Sequence, residues 1–219
     1  MYKRQLVDNS KVPFILDGDG NVHLYIHQDA KKEHIIDIVI NSKVQRPGVC
    51  NALETLLINS QIYQDMGSLI IEKLLENKVE LFVDETIKED FSNLNLANES
   101  HYETEFLDLK LAVKVVDSVD QAIEHIKVYS SGHTEAILTE SKEVADTFAK
   151  SIDSSVIFIN SSTRFTDGEM FGFGSEIGIS TQKLHVRGPM GLEALTNERY
   201  VVTGEGTVCL LYTSDAADD

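Results

Sequence analysis

The sequence predicts an α/β fold built around a largely parallel sheet, and three observations lead to this prediction. Short β-rich runs alternate with stretches of helical periodicity from Lys11 to Asn160. The repeated order strand–helix–strand favours parallel pairing, because parallel neighbours need a crossover that is usually a helix. The chain has 219 residues, 42% of them hydrophobic, which is enough apolar material for a substantial core.

The predicted strands are short runs of apolar and β-branched residues. The first is VPFIL, at 12–16. In the second, NVHLYIHQ at 21–28, apolar residues alternate with histidine and tyrosine, so we expect a half-exposed strand with its histidines facing solvent. The later predicted strands are VELFVD, LKLAVKVVD, EAILTES and SSVIFIN.

Four helices are predicted between these strands. The first follows Asp29, a candidate N-cap, and its buried stripe consists of Ile35, Ile36, Val39 and Ile40. The helix in SVDQAIEHIKVYS begins with Ser118 and Gln121, spaced as a capping box. The other two predicted helices are MGSLIIEKLLENK and KEVADTFAKSI.

After residue 160 the sequence becomes Gly-rich and loses its clear periodicity. We divide the chain into an ordered, cysteine-bearing domain at 6–160 and a Gly-rich segment at 161–206, an irregular stretch of the kind that usually carries function. Residues 1–5 and 207–219 differ again and are interpreted as non-native flanks. Cys209 is therefore left out of the functional argument.

Composition excludes several classes of function. The net charge of −17, from 36 acidic and 19 basic residues, disfavours nucleic acid and anionic membranes as partners. No apolar run approaches the ~20 residues of a membrane span, and the first residues do not form a signal peptide. The two cysteines cannot build a disulfide framework, so a reducing cytoplasm is the expected compartment.

Cys50 is the candidate nucleophile. It stands in QRPGVCNALETLL, directly after a Pro-Gly break and at the start of the next ordered run. If that run opens a helix, the amide groups and the helix dipole lower the pKa of the thiol and support a thiolate. A structural cysteine that fills a small gap is the other interpretation, and the spacing leaves both open.

Other motifs give weaker signals. The scattered histidines predict no metal site. The glycines of DGDGN and FGFGSEIG lack the spacing of a dinucleotide fingerprint and are interpreted as turn glycines. Lys183, His185 and Arg187 alternate, so in an extended segment they share one side and suggest an anion site, although an ordinary solvated edge strand fits equally well. Arg164, in STRFTDG, is a further candidate of this kind.

Four stretches together resemble the gamma-glutamyl phosphate reductase (glutamate-5-semialdehyde dehydrogenase) family, a branch of the aldehyde dehydrogenase superfamily. They are KVQRPGVCNALETLLIN, DSSVIFIN, STRFTDG and FGFGSEIGISTQKLHVRGPMGLEALT. The resemblance runs from about residue 6 to residue 206. It implies an aldehyde-dehydrogenase-like catalytic domain with a parallel sheet, plus a C-terminal remnant of the nucleotide-binding and oligomerisation part, with a final strand near 200–203.

The resemblance implies NADPH-dependent reduction of L-glutamyl 5-phosphate to L-glutamate 5-semialdehyde, with phosphate release, in proline biosynthesis. By similarity, Cys50 attacks the acyl phosphate and holds the acyl group as a thioester. Glu105, in EFLD, takes the place of the glutamate that contacts the nicotinamide ribose. The basic residues that would bind the phosphate or the α-carboxylate of the substrate are Arg164, Lys183, His185 and Arg187.

The resemblance also shows a departure and sets expectations about partners. Leu16 stands where hydrolytic relatives carry the glutamate that activates water, as suits a reductase that must keep its thioester. The family carries a dinucleotide-binding domain ahead of the matched residues, so we expect little or no NADPH affinity or activity from this chain alone. Expected partners are the small acyl-phosphate substrate, further copies in a homo-oligomer and glutamate 5-kinase.

Three alternatives remain at this point. One is the reductase half of a bifunctional pyrroline-5-carboxylate synthase, which shares the same motifs. Another is a non-catalytic oligomerisation module of the same fold, in which Cys50 would be inert. The third is a reductase for a different acyl phosphate.

Overall fold

Seven strands form one sheet in the computed structural model, which describes residues 2–12 and 14–208. The strands are β1 (Val22–Ile26), β2 (Leu53–Asn59), β3 (Glu80–Val83), β4 (Asn95–Leu96), β5 (Lys110–Val116), β6 (Thr134–Leu138) and β7 (Val156–Ile159). Their order across the sheet is β4-β3-β5-β2-β1-β6-β7, and every neighbouring pair is parallel. The predicted α/β class is confirmed.

Helices cover both faces of this sheet. Those in the described residues are α1 (Tyr2–Asn9), α2 (Lys32–Val44), α3 (Ser60–Glu76), α4 (Glu85–Asp90), α5 (Glu99–Glu103), α6 (Val119–Tyr129) and α7 (Lys142–Ser151). On one face, Ile35 of α2 and Ile70 of α3 pack in the larger apolar core. On the other, Ile126 of α6 and Phe148 of α7 form a second core. None of these helices is long and apolar enough to cross a membrane.

The prediction of a half-exposed β1 is wrong. All five of its residues are buried, including His23 and Tyr25, because α6 and α7 cover the face that the alternating pattern assigns to solvent. Leu24 packs in the larger core and Tyr25 in the second one. A central strand of a parallel sheet is normally buried on both faces, and here histidine and tyrosine fill one of them.

Other local predictions were also corrected. Within 12–16, Val12 and residues 14–16 form no strand, and Pro13 lies outside the described residues. Asp29 does not cap α2, which begins at Lys32, because its Oδ1 accepts hydrogen bonds from His27 and Thr139 instead. Residues 200–203 form no strand. Ser118 does cap α6, by accepting from the Gln121 amide at 3.2 Å.

The Gly-rich segment is irregular, as predicted, and folds back onto the main body. Two short antiparallel strands, β8 (Gly178–Ser180) and β9 (Gly188–Met190), form a separate small sheet. An isolated bridge joins Ser180 to Asp17, in the loop before β1. A 3-10 turn at Thr163–Phe165 follows β7. Cys209 and the remainder of the chain after Val208 lie outside the described residues.

Candidate active site

The candidate residues meet at the amino edge of the sheet. Because all seven strands run in the same direction, the loops that precede them lie along one edge. Asp17 and Gly20 precede β1, Cys50 precedes β2, and Glu105 precedes β5. The parallel topology therefore gathers residues that are 30 to 90 positions apart in the sequence.

Cys50 lies in a turn that leads into a strand, so no helix begins at this position. The helix-start mechanism for a lowered pKa is therefore wrong. Burial raises the pKa of the half-buried thiol to about 11, and the carboxylates of Asp17, Glu176 and Glu105 add to this effect. An apolar, acidic environment favours the neutral thiol over the thiolate.

Gly20 joins the Cys50 loop to the Glu105 loop. A Cβ atom at Gly20 would lie 1.7 Å from the Cys50 carbonyl oxygen, which no side chain could tolerate. The Gly20 amide donates a hydrogen bond of 2.7 Å to Glu105 Oε1. The interpretation of this glycine as an ordinary turn residue is corrected, since the close approach of two backbones requires it.

The STRFTDG motif is attached directly beside Cys50. Thr163 Oγ1 donates to the Asn51 carbonyl at 2.8 Å, and Asn51 Nδ2 donates to the Thr166 carbonyl at 2.7 Å. Thr163 and Thr166 are fully buried and Asn51 is nearly so, so these bonds are shielded from water. The pair of bonds fixes the intervening Arg164 next to the loop that carries Cys50.

Arg164 is the cation that the structure brings to the thiol. Its Nε donates to Gln45 Oε1 at 2.8 Å, on the segment that leads to Cys50. Burial lowers the pKa of Arg164, and the neighbouring Arg46 lowers it further, whereas Cys50 acts in the opposite direction. Two guanidinium groups thus lie near one another at the turn that carries the thiol.

The other predicted anion-binding residues lie on a different part of the edge. Lys183 and Arg187 both form ion pairs with Asp153, the Arg187 pair at 2.8 Å, so they do share one side as predicted. These two partners, Lys183 first, lower the pKa of Asp153. His185 lies between them and is exposed. The charged side chains that raise the pKa of Cys50 are instead Asp17, Glu176 and Glu105.

Several residues of this site carry no recognisable sequence signal. Glu176 lies in the FGFGSEIG motif, where the glycines alone attract attention, and its Oε2 accepts from the Gly168 amide at 2.8 Å. Asn51 follows the cysteine, but its partners lie more than 110 positions away. Among residues 2–12 and 14–208, no cluster of three or more histidine, cysteine or acidic side chains is arranged to hold a metal ion.

Comparisons with known proteins agree with the resemblance drawn from the motifs. The chain is 49% identical over 205 residues to gamma-glutamyl phosphate reductase of Thermoanaerobacter pseudethanolicus, covering 94% of this chain and 50% of that protein. The crystal structure of gamma-glutamyl phosphate reductase from Thermotoga maritima superposes with a TM-score of 0.89 at 45% identity, again covering 94% of this chain and 50% of the other. No family model matches the chain.

A more distant structure shows the fold alone. An acetylating aldehyde dehydrogenase from Geobacillus thermoglucosidasius superposes with a TM-score of 0.71 at 16% identity, which confirms the aldehyde-dehydrogenase-like architecture. The chain spans about half the length of the curated relatives it matches.

Proposed function

We propose that this relative of the gamma-glutamyl phosphate reductases carries, on Cys50, the acyl-transfer step in the NADPH-dependent reduction of L-glutamyl 5-phosphate to L-glutamate 5-semialdehyde. The observation that carries the proposal is the arrangement around Cys50. A half-buried thiol stands in a turn held by Gly20 on one side and by the Arg164 segment on the other. A cysteine that merely fills a gap needs neither an adjacent half-buried cation nor such a close backbone approach.

The proposed step converts an acyl phosphate into a thioester. The Cys50 sulfur, as thiolate, attacks the acyl carbon; a carbon–sulfur bond forms, the carbon–oxygen bond to phosphate breaks, and inorganic phosphate leaves with that electron pair. The thiol proton passes to solvent or a nearby carboxylate. NADPH, when bound, supplies the hydride that reduces the thioester to the aldehyde and regenerates the thiol.

Arg164 is proposed to bind the departing phosphate. A guanidinium group binds phosphate oxygens with two parallel hydrogen bonds, and its charge compensates the developing negative charge. It is also the group whose attraction opposes the three carboxylates that keep Cys50 protonated. We propose a secondary role for Lys183, His185 and Arg187, which would hold the α-carboxylate end of the substrate if Asp153 released its partners.

Glu105 is the described residue that we assign to NADPH. It lies on the loop before β5, and its Oε1 is oriented by the Gly20 amide at 2.7 Å. Its charge acts on the Cys50 thiol, so a carboxylate that bound the ribose here would also lie close to the sulfur. Glu105 is the one residue among 2–12 and 14–208 that we assign to this cofactor. We therefore expect little or no complete turnover from the chain by itself.

The proposal includes the cellular setting that the resemblance implies. The enzyme would work in proline biosynthesis in the cytoplasm, as a homo-oligomer. Because an acyl phosphate hydrolyses readily, the kinase that makes it, glutamate 5-kinase, is the expected supplier.

Acetyl phosphate serves as the probe for the acyl-transfer step. Incubation with the chain should transfer one acetyl group to Cys50, detected on the Cys50 peptide by mass spectrometry, with release of one phosphate per acetyl group. Hydroxylamine should remove the group, as it does from thioesters. Cys50→Ala should abolish this signal, and Arg164→Met should weaken it. Phosphate release that Cys50→Ala leaves unchanged would contradict the proposal and favour a non-catalytic module.

A further inference from the structure

Below the candidate site lies a buried ion pair that the proposed chemistry does not use. Lys43 Nζ and Glu54 Oε2 are 2.8 Å apart, and both side chains are fully buried. Lys43 belongs to the last turn of α2 and Glu54 to β2. The pair therefore joins the two ends of the segment 45–52, the turn that contains Cys50.

The second oxygen of Glu54 reaches the loop that carries Glu105. The Leu107 amide donates to Glu54 Oε1 at 3.1 Å, and a Cβ atom at Gly48 would lie 3.5 Å from the Leu107 carbonyl oxygen. The Cys50 turn and the Glu105 loop thus run close together, and Glu54 is bonded to Leu107 of the loop and to Lys43 just before the turn.

Leu107 itself has an unusual backbone conformation. Its φ of 52° lies in the left-handed region, which non-glycine residues adopt only when their surroundings hold them there. The hydrogen bond to Glu54 is such a constraint. It orients the loop two residues after Glu105, the residue assigned to the cofactor.

Stability alone is a poor explanation for this pair. Burial raises the pKa of Glu54 to about 7 and lowers the pKa of Lys43, so the protein environment resists both charges. Apolar residues of similar size often serve stability as well as or better than a buried ion pair. What they cannot supply is an acceptor for the Leu107 amide.

We propose that Lys43 and Glu54 are positioning residues, which fix the Cys50 turn against the Glu105 loop. Lys43 orients the Glu54 carboxylate, and Glu54 holds Leu107 in its left-handed conformation. The relevance of this position to catalysis rests on the proposed function of Cys50. The mechanical linkage between the two loops does not, because it is made by contacts that involve neither the thiol nor a substrate.

Two double variants of the chain separate positioning from stability. Lys43→Met with Glu54→Leu removes both charges and the acceptor, whereas Lys43→Met with Glu54→Gln removes the charges but keeps an oxygen for the Leu107 amide. Amide hydrogen exchange reports on Leu107 and, as a reference, on Val113 within β5. The pH profile of Cys50 alkylation reports on the thiol.

In the variant with Glu54→Leu, the hydrogen of the Leu107 amide should exchange at least about tenfold faster than in the unmodified chain, as expected when a hydrogen bond to a carboxylate is lost. Its Val113 exchange should stay unchanged, and its alkylation profile should shift. The Gln variant should recover part of the Leu107 protection and shift the alkylation profile less, because an acceptor remains but Lys43 no longer orients it. Equal Leu107 protection in both variants, or a parallel increase at Val113, would overturn the proposal. Failure of acetyl transfer to Cys50, with the exchange pattern intact, would instead reject only the proposed function.

Discussion

The raised pKa of Cys50 leads to a quantitative prediction about its reactivity. The thiol ionises near pH 11 rather than at its ordinary value of 9.0, because burial and three carboxylates disfavour the thiolate. Two pH units reduce the thiolate fraction at pH 8 about a hundredfold, and alkylation proceeds through the thiolate. Native Cys50 should therefore react with iodoacetamide about a hundredfold more slowly at pH 8 than the same cysteine in the urea-unfolded chain.

Removing one charge from the site tests the cause of this shift. Asp17 is the strongest of the three carboxylates acting on the thiol, and Asp17→Asn keeps an oxygen that can accept from the Ile179 amide. The midpoint of the alkylation profile should fall by about one pH unit, a typical effect of a nearby like charge. Asp146→Asn, on an exposed carboxylate of α7, should leave the midpoint unchanged.

The assay is alkylation quenched at intervals, with the Cys50 and Cys209 peptides quantified separately by mass spectrometry. The whole profile from pH 7 to pH 12 is informative, because poor access slows the reaction at every pH but does not move the midpoint. A native midpoint near pH 9 or below would refute the reasoning. It would show that neither burial nor the acidic neighbours govern the thiol.

Three further predictions concern the surroundings of the thiol. Arg164→Met should raise the midpoint of the Cys50 alkylation profile, in the direction opposite to Asp17→Asn, because the nearby cation is lost. An unchanged profile would show that Arg164 does not influence the ionisation of the thiol. Gly20→Ala should lower the free energy of unfolding, measured in urea, by about 1–3 kcal/mol, because its Cβ would lie 1.7 Å from the Cys50 carbonyl oxygen. Gly48→Ala is the control and should be nearly neutral, because its Cβ would lie 3.5 Å from the nearest atom, the Leu107 carbonyl oxygen. The pKa of fully buried His133 is lowered by burial from 6.5 to about 4, so its neutral form contributes stability above pH 6.5 that is lost as the pH falls towards 4. That loss amounts to about 3 kcal/mol. In urea titrations, the free energy of unfolding should depend less on pH over this range in His133→Asn, whereas His185→Gln should keep the wild-type pH dependence.

Five of the seven strands of the sheet were predicted because their signal is local, whereas β2, where the sequence suggested the start of a helix, and β4 were missed. Runs such as VELFVD and LKLAVKVVD carry β-branched residues, and the alternation of strands with predicted helices favours parallel pairing. The order of the strands across the sheet was not predicted. The exposure of β1 could not be predicted in the same way. Whether His23 and Tyr25 face water depends on α6 and α7, which lie about a hundred positions later in the chain.

The candidate site shows the same division between local and distant information. Cys50 and Arg164 were predicted because each stands in a distinctive motif. The docking of Asn51 onto Thr163 and Thr166 joins positions more than 110 residues apart, and no spacing rule connects them. The pKa of Cys50 depends even more on distant residues, since Glu176 and Glu105 act on it only after the loops have been brought to one edge.

The strand that follows Cys50 changes how this thiol can be activated. A helix start would stabilise a thiolate through backbone amides, independently of the side chains around it. A turn before β2 offers no such dipole, so burial and the surrounding side-chain charges decide the protonation state. In this chain burial, with three carboxylates adding to it, keeps the thiol neutral, and the attraction between Arg164 and Cys50 acts in the opposite direction. Reactivity must then depend on whatever adds positive charge or removes negative charge at the amino edge, which makes the Asp17 and Arg164 variants direct measures of that balance.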